Sequence, residues 1–185
     1  MSRALIRTLA VGAALTATAF ASPAAVAATP TADGARVPGT TVQFAPGASA
    51  GTKALAARRT AAVRATATLC GSGYKLDNAE RLPDSRRYGT LFTYTKSNSQ
   101  GFSGACAVFE NNMPGGMKMK LKLCPNRTDA SLCKVDQGLF TQYAGPLKIE
   151  GNHSYVFCSK VTAIMWESLS GPAIIDAVRS ATPCD

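Results

Sequence analysis

Histidine, tryptophan and acid are scarce in this chain of 185 residues, with one His, one Trp and 11 Asp or Glu against 20 Lys or Arg. A lone histidine, His153, and the lack of any Cys-x-x-Cys pair leave no recognisable zinc-ligand set. His153 stands in Gly-Asn-His-Ser, a turn, with no nucleophile or orienting acid at a telling spacing, so it reads as an exposed turn residue. No Gly-x-Ser-x-Gly elbow is present, and the acids form no pair that spacing alone would mark as a glycosidase dyad. No apolar run reaches the roughly 20 residues needed to cross a bilayer. These absences name no catalytic residue, no metal ligand and no cofactor.

The N-terminus has the three parts of a secretory signal. Arg3 and Arg7 give a positive start, residues 9–20 are apolar and uncharged, and Ala19-Phe-Ala and Ala25-Val-Ala are small-residue cleavage sites. Residues 1–28 therefore read as a signal peptide cut after Ala27 or Ala28. Without an Arg-Arg pair, the general secretory route is expected. About 157 residues remain, enough for one domain, or one domain plus a tail. Setting aside Arg3 and Arg7 leaves 18 bases against 11 acids, about +7. Of this, +4 falls before Cys70, from Arg36, Lys53, Arg58, Arg59 and Arg64 against Asp33. The remainder is only mildly basic, which weakens any specific nucleic-acid reading.

All six cysteines, Cys70, Cys106, Cys124, Cys133, Cys158 and Cys184, lie in the C-terminal part. An even count in an exported chain implies three disulfides, with 15 arrangements formally open. Cys124 and Cys133 flank a short polar turn, so these two are expected to pair and to contribute about 2–3 kcal/mol. The other two pairings stay open from spacing alone.

Residues 29–69 are Ala, Gly, Thr and Pro with few large apolar side chains. Such a segment cannot bury enough surface to offset ordering its backbone, so it reads as disordered linker or propeptide. Within it, Lys53-Ala-Leu-Ala-Ala-Arg-Arg-Thr-Ala-Ala-Val-Arg favours a short basic helix, anchored only by Leu55 and Val63.

Residues 70–185 read as a disulfide-stapled β-rich domain. Strand patterns occur at Leu91-Phe-Thr-Tyr-Thr and Ala105-Cys-Ala-Val-Phe-Glu. The alternation of Met117-Lys-Met-Lys-Leu-Lys-Leu-Cys is the clearest of all. Further strands are expected over 138–143, 147–150 and 154–159, with a tight turn at Gly151-Asn152. Residues 172–181 read as a short C-terminal helix, with Pro172 near its start and Ile174, Ile175 and Val178 on one face. The expected fold is mainly β, a small antiparallel sandwich or barrel with three disulfides.

Period two places Lys118, Lys120 and Lys122 on one face of their strand, and the Met and Leu side chains on the other. Such a stripe could hold an anionic polymer: wall polymer, acidic polysaccharide or nucleic acid. It also suits a solvated sheet face whose lysines discourage edge pairing, and the lack of interleaved exposed aromatics favours that plainer role.

Four stretches occur in order: Cys70-Gly-Ser-Gly-Tyr-Lys-Leu, Gly89-Thr-Leu-Phe-Thr-Tyr, Gly104-Ala-Cys-Ala-Val and Asp136-Gln-Gly-Leu-Phe-Thr-Gln-Tyr-Ala-Gly-Pro-Leu. Together they resemble the actinomycete spore-associated protein A family over about residues 70–158. The resemblance implies a four-cysteine framework at Cys70, Cys106, Cys158 and Cys184, with Cys124 and Cys133 as an added pair. It also implies an exported protein of the spore or cell surface without an established activity. The expected function is thus a secreted, non-enzymatic surface protein with wall or spore polymers as partners. An exported inhibitor or toxin-like module presenting the 124–133 loop is the alternative, and a small wall hydrolase the third.

Overall fold

The computed structural model describes residues 34–84 and 86–184; the expected signal peptide over 1–28 lies outside them. Eight strands form two antiparallel four-stranded sheets. The first has the order β1 (Lys75–Leu82), β2 (Gly89–Asn98), β3 (Gly101–Asn111), β6 (Tyr143–Glu150). The second has the order β5 (Lys134–Phe140), β4 (Met117–Cys124), β7 (Lys160–Trp166), β8 (Ala173–Ser180). The sheets stack as a sandwich. Leu82, Leu91, Phe109 and Ile149 of the first face Met119, Leu121, Leu123, Val161, Met165 and Ile175 of the second in one buried cluster. At one side Arg179 on β8 grips Glu80 on β1 through Nε and Nη2, both at 2.8 Å, a fork that ties one sheet to the other.

Two helices, α1 (Ala50–Arg58) and α2 (Thr60–Cys70), lie on the outer face of the first sheet. The disordered-linker reading of 29–69 is therefore corrected for its described part. Val37, Val42, Phe44, Ala56 and Val63 are all buried against Leu76, Phe92, Tyr94 and Val108. The segment brings little apolar surface of its own, but the sheet supplies the other half, and its alanines let the backbones approach closely. Ser49 caps α1, its Oγ accepting from the Thr52 N–H at 3.0 Å. The Tyr94 hydroxyl lies 2.6 Å from Thr66 Oγ1 and donates to the Val63 carbonyl at 3.1 Å, pinning α2 to β2. Gly71, at φ 93°, ends α2 where a side chain would be strained, and Cys70 bonds to Cys106 on β3.

The C-terminal helix is also corrected. Residues 173–180 form β8, with Ile175 and Ala177 buried and Asp176 and Val178 exposed. The β-branched residues that suggested a helical face pack at period two once β7 offers its free edge. The strand expected over 154–159 is a short helix, α3 (His153–Val156), capped by Asn152, whose Oδ1 accepts from the Tyr155 N–H at 3.0 Å. Three residues, 157–159, separate it from β7. The run 138–143 straddles the turn between β5 and β6. All three disulfides are formed: Cys70–Cys106, Cys124–Cys133 and Cys158–Cys184.

Asp77 sits at a bulge in β1, and burial pushes its carboxyl up to about 6. A raised acid binds its proton more tightly folded than unfolded, so stability falls as pH rises from about 4 to about 6. The full displacement corresponds to about 3 kcal/mol, which partial exposure reduces to about 1–2 kcal/mol. Asp77→Asn is expected to raise the urea midpoint at pH 7.5 and leave it nearly unchanged at pH 4. An equal change at both values would show that its ionisation has no part in stability.

Candidate functional site

The outer face of the second sheet is open to solvent and carries the lysine stripe. β4 turns Met119, Leu121 and Leu123 into the core, which leaves Lys118, Lys120 and Lys122 outward at roughly 6.7 Å intervals. Register sets Lys118 between Trp166 and Leu139, Lys120 between Ile164 and Gln137, and Lys122 between Thr162 and Val135. Cys124 lies opposite Lys160, so Lys160 extends the row by one more step from the neighbouring strand. Lys120, Lys122 and Lys160 form no ion pair among the described residues. On β8, Asp176 is the acid that register places on this face, opposite Ile164.

Apolar side chains flank the cations. Val135, Leu139 and Val178 are 51%, 65% and 57% exposed, more than a solvated sheet face needs to be. The Lys118 ammonium lies 4.9 Å from the Trp166 ring centroid and donates to the Leu169 carbonyl at 2.7 Å. Trp166 is the aromatic neighbour that the lysine strand lacks in its own sequence. The strand expected over 154–159 stops short of it, although Val161, Ala163 and Met165 carry the alternation that marks β7.

At one end of the row a groove of about 640 Å³ opens between the 124–133 loop and β7–β8. Lys122, Arg127 and Lys160 line it, together with Val178 and the Cys124 and Cys158 ends of two disulfides. Arg127 is braced there. Its Nη1 donates to the carbonyls of Asn126 at 2.6 Å and Ser154 at 2.8 Å, and its guanidinium stacks 5.4 Å from the Tyr155 ring centroid. The loop itself is exposed from Asn126 through Leu132, with a single 3-10 turn over Ala130–Leu132.

His153 is exposed at the start of α3. Its Nδ1 accepts the Phe102 N–H at 3.1 Å and its ring stacks 4.8 Å from that of Phe157, so its surroundings bind the imidazole into the loop packing. Among the described residues, no group of three or more His, Cys, Asp or Glu is placed to hold a metal ion. No described helix is long and apolar enough to cross a membrane.

The architecture defines a two-sheet, disulfide-stapled β-sandwich with a helical outer layer. No family model, no curated protein and no solved structure matches the chain.

Proposed function

We propose that this is an exported, non-enzymatic surface protein of the spore-associated protein A kind, and that the outer face of its second sheet binds an anionic surface polymer. The observation that carries the reading is the row Lys118, Lys120, Lys122, Lys160, free of ion pairs among the described residues and set among exposed apolar side chains. Regularly spaced ammonium groups on a flat sheet suit an extended chain with repeating charge, and the field of such a row acts in summation. Trp166 adds a ring against which a sugar face can pack. Disulfides mark an oxidising compartment, where acidic polysaccharide and wall polymer are the polyanions at hand.

The test is retention of purified protein on cell wall, spores and a soluble acidic polysaccharide at low and high salt. The triple variant Lys120→Ala, Lys122→Ala, Lys160→Ala is expected to weaken low-salt binding on the order of tenfold or more, while leaving the melting temperature close to wild type. Salt-independent retention, or a triple variant that binds as well as wild type, sinks the reading.

The inhibitor reading has its own support: the exposed 124–133 loop is closed by a disulfide and braced by Arg127, and a rigid loop loses little entropy on docking. Alanine across residues 125–132 tests the loop and should abolish protein binding; unchanged protein binding would sink the loop's role, while the lysine triple variant tests polymer retention separately.

A further inference from the structure

A second concentration of charge lies on the other sheet, where the helical layer turns. Register sets Arg81 on β1 opposite Thr90 on β2, Thr90 opposite Glu110 on β3, and Glu110 opposite Tyr143 on β6. These four lie in line with Ala79 and Val108, which pack against the helices, so they share the covered face. The junction between α1 and α2 brings Arg58 and Arg59 over Glu110, and a groove of about 520 Å³ opens there, lined by Arg58, Arg59, Thr60, Glu110 and Tyr143, with Arg81 beside it, two strands from Glu110 across Thr90.

The charges in this corner are unbalanced. Glu110, 8% exposed, is engaged by Arg59 Nη2 at 2.7 Å. Desolvation, and then the charges of Arg87, Arg59 and Arg58, lower the pKa of Arg81. The Arg81 Nε is buried and has no hydrogen-bond partner among the described residues. Leaving a buried donor unmade is unfavourable, and like charges add to that. An anion that accepts from the guanidinium groups would relieve both. The planar fork of arginine matches the oxygens of a phosphoryl group better than an ammonium does.

We infer that the corner formed by Arg58, Arg59 and Arg81 over the β1–β2–β3 edge of the helical layer is a binding site for a phosphoryl group. It lies on the opposite sheet from the lysine row and stands independently of the polymer reading. The phosphoryl group is either free inorganic phosphate or an ester on a larger molecule, and the two sources share the same contacts.

The site is tested on the full-length mature protein by thermal shift and 31P NMR titration with inorganic phosphate, pyrophosphate and glycerol 1-phosphate. Wild type is expected to gain a few degrees in melting temperature and to show saturable binding. Arg81→Gln and Arg58→Ala are each expected to weaken it on the order of tenfold. Arg58 is exposed at the end of α1, so its variant folds even if Arg81→Gln does not. Lys120→Ala/Lys122→Ala should bind all three probes as wild type does. Tighter binding of glycerol 1-phosphate than of inorganic phosphate identifies an ester as the source; the reverse identifies the free anion. No saturable binding by wild type overturns the inference. So does equal binding by the arginine variants, or an equal loss in the lysine variant, which would mark general attraction to a basic protein. Absence of polymer retention by wild type, with its phosphate binding intact, would count against the polymer reading alone.

Discussion

A chain that begins at Cys70 is expected not to fold. It keeps all eight strands and all six cysteines, yet it loses the layer that covers Leu76, Phe92, Tyr94 and Val108. Val37, Val42, Phe44 and Val63 leave with the deleted segment. Burying a side chain of this size is worth about 1.5–3 kcal/mol, so the four deleted residues and their four partners account for on the order of 10 kcal/mol. Total stability of a domain is about 5–15 kcal/mol. The truncated chain should therefore bind ANS, lose near-UV circular dichroism and melt without a cooperative transition, whereas a chain beginning at Gly34 should melt cooperatively. A well-dispersed amide spectrum and a sharp melt from the shorter chain would show the helical layer to be dispensable. The same experiment bears on maturation: if folding needs residues 34–69, a processed form that lacks them cannot refold on its own.

Arg59→Ala is expected to be the most damaging single change in the helical layer. Arg59 stands between α1 and α2, and its Nη2 meets Glu110 Oε2 at 2.7 Å and reaches Asn112 Oδ1 at 3.4 Å. Burial pushes the Glu110 carboxyl above the usual glutamate value, and Arg59 acts against that push. Removing the arginine leaves a buried carboxylate without its partner. Breaking a buried pair costs about 3–5 kcal/mol, and the 30% exposure of the Arg59 side chain moves the expectation to about 2–3 kcal/mol.

The loss has a definite pH dependence. Without Arg59 the folded Glu110 holds its proton more tightly than before, so the variant is worst at neutral and higher pH and recovers as pH falls and the carboxyl protonates. Adding Glu110→Gln should restore part of the stability at pH 7.5 and little at pH 4. Denaturant melts of the two variants at both values check this, and a deficit that does not change with pH would assign the damage to lost packing instead.

Both predictions fall where sequence reasoning was least informed. The strands of β2, β3 and β4 were legible because each carries a pattern that its own residues determine: alternation, β-branched content, and flanking Gly, Asn and Pro. The 124–133 bridge was legible because its loop is short. β8 was not, since Ile174, Ile175 and Val178 fit a helical face as well as a strand until the edge of β7 is present to pair with. The helical composition of residues 53–64 was legible, but the burial of the α1–α2 layer was not, for a related reason. Its burial depends on Phe92, Tyr94 and Val108, residues that lie beyond the segment itself.

The candidate sites follow the same division. Lys118, Lys120 and Lys122 share a face by period alone, so the strand pattern placed them correctly. Lys160, Trp166 and Arg127 join them only through the β4–β7 register and the contact of the loop with α3. The arginine corner draws on residues 58, 59 and 81 beside Glu110, and no spacing in the chain announces that meeting.

By itself, the sequence determined the cysteine count, the β-rich class and the inward and outward faces of β4, because these depend on composition and on periods read within a few residues. Only the tertiary structure decided that residues 34–69 belong to the core, that residues 172–181 contribute a strand, and which cations stand together. Each of those outcomes is set by a partner surface distant in sequence, and a segment's own residues cannot state what will be packed against them.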